Sequence, residues 1–167
     1  IFNGEPVKVD LNTSTGGYIV TAAAGTAMVG VLNGVLFTDA TTLKPTFSNF
    51  YPAATTPANS EDITAFVNDD PFQEYIIASD ATLGGTLALR KSKIGLTYAT
   101  TAAAGSTTTG KSSVQLGIST GATTAKQLRV VRVAEDPENE DQTAANCSLV
   151  VKVNLHQYTV GSLATGI

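Results

Sequence analysis

The chain has 167 residues, 43% of them hydrophobic, with a formal net charge of −4, one His, one Cys and no Trp. That length and apolar content fit a domain with its own core and exclude a wholly disordered chain, and there is no run of apolar residues long enough for a membrane-crossing helix. The acidic balance argues against a phosphate-binding surface, and a charged content of only 14% leaves few ionisable groups to assemble into a catalytic pocket.

Residues 6–10 alternate Val7 and Val9 with Lys8 and Asp10, the period of a strand. Residues 18–21 follow a Thr-Gly-Gly turn and read as a second strand. Residues 28–32 and 35–38 are apolar runs on either side of Asn33-Gly34, a pair that predicts a type I′ hairpin because both turn positions need positive φ. Residues 41–62 are rich in Pro, Thr and Ala, with Pro45, Pro52 and Pro57, and predict a long extended arm or loop. Its aromatics Phe47, Phe50 and Tyr51 place it against a surface, either its own core or a neighbouring subunit.

Residues 63–68 and 73–79 read as strands around an Asp69-Asp70-Pro71 turn. The stretch 80–93 is ambiguous: Asp80 can cap a short helix through Leu83, Leu87 and Leu89, and Gly84-Gly85 argues against it. Residues 96–100, 113–119 and 126–134 are three further strands. In the last strand Leu149, Val151, Val153 and Leu155 share one face, and Val150, Lys152, Asn154 and His156 the other, which puts His156 on the surface. About nine or ten short strands separated by turns predict an all-β protein, an antiparallel sandwich or a closed barrel. The chain reads as a single domain, 1–167; the echo of Thr21-Ala-Ala-Ala-Gly25 in Thr101-Ala-Ala-Ala-Gly105 raises two β-modules with a boundary within 40–62 as an alternative to coincidence.

Candidate chemistry is sparse. Gly105-Ser-Thr-Thr-Thr-Gly110-Lys111-Ser112 matches the phosphate-binding loop pattern. A working loop of that kind opens a helix, whose N-terminal amides cradle phosphate, whereas residues 113–119 alternate like a strand; the prediction is a hairpin loop. The acidic run from Glu135 to Asp141 lacks the spacing of a calcium loop and carries Pro137 at its centre, so it predicts a solvated loop. Arg90, Lys91 and Lys93 read as a solvated turn. Cys147 opens an apolar run and reads as a buried, inert thiol, facing away from His156 across the sheet. No nucleophile–His pair and no metal-ligand set emerges from the spacing. Asn12-Thr-Ser14 and Asn146-Cys-Ser148 fit glycosylation acceptors, relevant only in a secretory host.

Several short segments occur in a telling order: Gly4-Glu5-Pro6-Val7-Lys8, Thr21-Ala-Ala-Ala-Gly25, Gly30-Val31-Leu32-Asn33-Gly34-Val35 and Thr38-Asp39. Asn49-Phe50-Tyr51-Pro52, Ala65-Phe66-Val67-Asn68-Asp69-Asp70-Pro71, Gln127-Leu128-Arg129-Val130 and the His156-Gln157-Tyr158 ending follow. In this order the chain resembles the capsid decoration (cement) proteins of tailed bacteriophages and the phage virion proteins similar to them. The resemblance implies a β-rich protein, often trimeric, on the outer capsid surface at junctions between capsomers, with no catalytic motif to carry over. The expectation is a non-enzymatic virion structural protein whose partners are the major capsid protein and itself, as a homotrimer, without nucleic acid, membrane, metal or cofactor. Phe47, Phe50 and Tyr51 are the candidate capsid or subunit contacts, because aromatics are enriched in interfaces. The rival readings are a carbohydrate-binding or host-adhesion β-module, another shell or tail component, and, last, a hydrolase.

Overall fold

The computed structural model describes residues 1–159 apart from 13, 15, 54, 122–124 and 140. The described residues form eleven strands in antiparallel sheets and one short α-helix. The sheets are not closed into a barrel, so the barrel alternative is corrected.

The first sheet is organised by β3 (Gly30–Thr38), nine residues long. Along one edge it pairs first with β1 (Pro6–Val9) and then with β4 (Pro45–Ser48); along the other it pairs with β5 (Thr64–Asn68). β2 (Ile19–Thr21) completes the sheet beside β1.

The hairpin predicted at Asn33-Gly34 does not form: β3 runs straight through it. Neither residue has positive φ. Leu32 opposes Val67 and Gly34 opposes Phe66, so Asn33 is the extra residue of a β-bulge. The bulge explains the apolar runs on both sides of it. In a regular strand Leu32 and Val35 would face opposite ways, but one inserted residue turns both into the same core, where each is buried. Burying each contributes about 1.5–3 kcal/mol. Gly34 is needed for a different reason than a turn: a Cβ there would stand 2.5 Å from Cζ of Phe47.

The true turn comes later. The Asp39 carboxylate accepts hydrogen bonds from the amides of Thr41 and Thr42 (2.9 and 2.7 Å) and from the Thr42 hydroxyl. Leu43 takes a left-handed conformation, φ 55°. The chain then returns as β4, so the predicted arm is in part a strand of this sheet.

The second sheet has the order β6 (Glu74–Ala78), β11 (Ser148–Val153), β10 (Leu128–Val133), β7 (Thr97–Tyr98). The two strands predicted around Asp69-Asp70-Pro71 are present but belong to different sheets, and the turn is a corner between them; Asp70 shapes it by accepting from the Phe72 amide at 2.8 Å. The strand predicted over 96–100 also divides. After β7 the chain leaves the second sheet at Ala99 and forms β8 (Thr100–Thr101) against β9 (Gln115–Leu116). The predicted strand 113–119 is reduced to β9, followed by a 3-10 turn, Ile118–Thr120. α1 (Leu87–Lys91) is capped by Thr86, whose hydroxyl accepts from the Leu89 amide at 3.3 Å. The proposed cap Asp80 instead accepts from the Ile118 amide at 2.9 Å, separated from α1 by Gly84 with φ 123°.

Two apolar clusters result. The larger joins Met28 of the first-sheet side to Tyr98, Leu128, Leu149 and Val151 of the second sheet, with Leu83 and Leu116. The smaller lies on the other face of the first sheet and is built on Val7, Val29, Leu32 and Val35. The two Thr-Ala-Ala-Ala segments meet in space: Thr21 to Ala24 and Thr101 to Ala103 line one small cleft of about 120 Å³.

Candidate contact surface and cavity

The three aromatics singled out in the sequence go to three different environments. Phe50 stacks on Phe2, with ring centroids 5.6 Å apart and planes within 9°. Tyr51 packs against the smaller cluster, and its amide donates to the Ile1 carbonyl at 2.7 Å. Phe47 alone stands out, 59% exposed, on the outer face of the first sheet.

Phe47 has company that the sequence did not reveal. It lies directly opposite Leu36 on β3, and Phe66 lies opposite Gly34 on the far side of the same strand. The Phe47 and Phe66 rings approach to 6.0 Å across the bare Gly34 position. Leu36 and Phe66 are 37% and 44% exposed. β3, β4 and β5 carry no charged residue anywhere. Within the described residues β4 and β5 each pair only with β3, so both also present an unpaired edge. An uncharged, partly aromatic sheet face with open edges is what soluble proteins normally avoid unless another surface covers it. The signal was present as period-two alternation, but reading it required knowing that Asn33 is a bulge.

Below the opposite face of this sheet lies a cavity of about 560 Å³. Buried Leu32 and Val35 form its base, and Tyr18, Tyr51, Glu61 and Asp62 line it. Glu61 and Asp62 follow a 3-10 turn, Ala58–Ser60, in which Asn59 and Ser60 are left-handed (φ 55° and 56°). The Tyr18 hydroxyl donates to Oδ1 of Asp62 at 3.1 Å, and that hydrogen bond, with the carboxylate charge beside it, raises the phenol above its ordinary pKa.

His156 is not on the surface, a correction to the strand-alternation argument. β11 ends at Val153, and the chain then crosses to the first sheet, where Met28 donates to the Leu155 carbonyl and Gln157 to the Met28 carbonyl, both at 2.9 Å. His156 is left 1% exposed. The Tyr158 amide donates to Nδ1 at 3.1 Å, so the ring proton sits on Nε2 and is donated to the Asp69 carbonyl at 3.0 Å. Nε2 thereby ties this segment to the β5–β6 corner, while Nδ1 closes a local turn with Tyr158. The neighbouring Gln157 side chain both accepts from the Val9 amide (2.7 Å) and donates to its carbonyl (3.2 Å), extending the β1 edge with a side-chain amide.

Cys147 is buried in the larger cluster, and burial raises its thiol pKa. The phosphate-loop string closes on itself: Ser106 donates to the Lys111 carbonyl (2.9 Å) and Gly110 to the Ser106 carbonyl (2.7 Å). β9 and not a helix follows it. In the acidic run, Pro137–Asn139 forms a 3-10 turn whose Asn139 side chain bonds the backbone of Ala134 and Ser148. Among the described residues no group of three or more His, Cys, Asp or Glu is placed to hold a metal ion. Arg90 and Lys91 end α1 rather than forming a turn.

Comparison with family models, with curated proteins and with solved structures gives no match to this chain.

Proposed function

We propose that the chain is a non-enzymatic structural protein of a tailed-phage virion. In this reading it decorates or cements the outer surface of the head as a homotrimer, against the major capsid protein, with its two larger sheets stacked as a sandwich. The observation that carries the reading is the charge-free β3–β4–β5 face with Phe47, Phe66 and Leu36 exposed and its edges unpaired. Such a surface is suited to contact, and depletion of charge with enrichment of aromatics is the compositional mark of an interface core. The resemblance of the ordered sequence segments to cement proteins supplies the setting.

The test has two parts. Mass spectrometry of purified particles should find the chain in stoichiometric amount, and the isolated protein should have a trimer's mass in solution. Phe47→Ser with Phe66→Ser changes two exposed rings and should leave the fold intact while stripping the protein from heads or from its trimer. Full head occupancy and an unchanged mass for this double variant would refute the contact role of the face.

A further inference from the structure

The cavity beneath the first sheet carries a recognition chemistry that the exposed aromatic face does not. Its floor is apolar, made by buried Leu32 and Val35 with Ile19 and Ile63 beside them. At about 560 Å³ it has the capacity of a ligand site, with room for a long side chain together with the backbone that carries it. Tyr18 and Tyr51 place aromatic rings among the lining, and Glu61 and Asp62 place two exposed carboxylates there. No Lys or Arg lines the cavity, and the two ion pairs of the described residues both use Glu74 instead. The Tyr18 hydroxyl occupies Oδ1 of Asp62, which fixes the ring beside the carboxylate and leaves Oδ2 available.

These features select an occupant. An anion would be repelled by the carboxylates of Glu61 and Asp62, which no Lys or Arg side chain of the lining offsets. A neutral apolar group would use the floor and leave the carboxylates unmatched. A bare metal ion would ignore the floor and the rings. A cation on an aliphatic stem uses all three: the stem against Ile19, Leu32, Val35 and Ile63, the charge near the carboxylates of the rim and beside the Tyr18 ring that Asp62 holds. We infer that this cavity receives a lysine or arginine side chain from an extended segment of a partner protein, on grounds of charge complementarity. The choice of a protein as the source rests on the contact role proposed above; the cavity's preference for the cation does not.

The test titrates the isotope-labelled full chain with the blocked single residue N-acetyl-lysine methylamide, its arginine counterpart, and two neutral analogues, norleucine and ε-acetyl-lysine, following amide shifts by NMR. Saturable shifts at Tyr18, Glu61, Asp62 and Ile63 are expected with the two cationic probes, with the neutral analogues about tenfold weaker, as two solvent-exposed charge contacts allow. Glu61→Gln with Asp62→Asn keeps an acceptor for the Tyr18 hydroxyl and should preserve the melting temperature while weakening the cationic probes to the level of the neutral ones. Added salt should weaken binding in the parent alone. Equal affinity for norleucine, unchanged binding by the double variant, or saturation by neutral sugars in place of the cations would overturn the inference. Failure of the probes with the chain present on phage heads sinks the cavity and spares the contact role; binding of the probes with the chain absent from particles does the reverse.

Discussion

Gly30→Ala should be among the most damaging single-methyl additions in this protein. Gly30 opens β3 where the strand is paired on both sides, with Val7 of β1 directly across. A Cβ built there falls 2.0 Å from the Asn68 carbonyl oxygen, 2.8 Å from its carbon and 3.0 Å from Cα of Asp69. All three are backbone atoms, so no rotamer change makes room. Restoring an ordinary carbon–oxygen contact of about 3.3 Å means displacing the end of β5 by more than 1 Å. That end carries further bonds: the Tyr75 hydroxyl donates to the Asn68 carbonyl at 2.9 Å, and His156 Nε2 to the Asp69 carbonyl at 3.0 Å. Overpacking costs about 1–3 kcal/mol, and each weakened hydrogen bond about 0.5–1.5 kcal/mol, for a total near 4 kcal/mol. At roughly 2–4 °C per kcal/mol for a domain of this size, the melting temperature should fall by about 8–16 °C, read by circular dichroism and checked by urea unfolding. Gly85→Ala is the matched control, since its Cβ meets nothing within 4 Å. It should be neutral or slightly stabilising, by up to about 1 kcal/mol. A Gly30→Ala protein within about 1 kcal/mol of the parent would falsify the packing of β5 against β3 described here.

Two further outcomes follow from the same geometry. His156→Ala removes a ring that is 1% exposed, leaves the Asp69 carbonyl and Tyr158 amide without that partner and opens a void, and should cost about 2–3 kcal/mol in urea unfolding; a loss under about 1 kcal/mol would return His156 to the surface. The Asp39 and Asp141 carboxylates are held below the ordinary range, chiefly by hydrogen bonds from Thr42 and Thr143 respectively. A depressed folded pKa means that their stabilisation is present above the unfolded value near 3.8 and is lost as pH falls through the folded value. Asp39→Asn with Asp141→Asn should therefore lower the melting temperature less at pH about 2 than at pH about 6, and an equal drop at both would contradict the assigned hydrogen bonds.

How much of this was legible depended on whether local pattern and tertiary pairing agreed. β10 and β11 were readable as elements because each concentrates Val and Leu in six residues, although Leu149, Val150 and Val151 are all buried and the pairing shifts register between Val130 and Arg132. β5 and β6 were readable as elements, but nothing local says that a turn of two Asp and a Pro leads into a different sheet. The Asn33-Gly34 pair misled for a physical reason: the same two residues suit a tight turn by backbone freedom and a bulge by small size. The choice was made by Phe47 and Ser48 arriving from another strand to fill the space over Gly34. Alternation puts His156 on the surface only if it is carried three residues past the end of β11, where pairing with Met28 takes over. The exposed Phe47–Leu36–Phe66 face and the cavity are both products of three strands meeting on β3, so no single segment encodes either.

The two sheets treat their outer faces in opposite ways, and the contrast bears on which face the proposed contact would use. On the second sheet Glu74 approaches Arg132 at 3.8 Å and Lys152 at 3.5 Å, spanning all three of its longer strands with mixed charge. Exposed Ile76 lies opposite Val150, itself opposite Arg132, so this apolar side chain sits inside a charged network. Charge of this kind blocks edge and face pairing with other chains. On the first sheet β3, β4 and β5 lack any such charge, and Pro45 at the start of β4 is the one residue there of a type that guards an edge. A chain with 24 Asp, Glu, Lys and Arg residues has enough to place several on those strands. It places them elsewhere, and the face left bare is the one on which Gly34 makes room for two phenylalanine rings. Under the proposed contact role the charge distribution therefore assigns association to the first sheet over the second: Thr64→Lys with Phe66→Lys touches neither buried cluster and should lower the solution mass to a monomer's, whereas an unchanged mass would remove the preference.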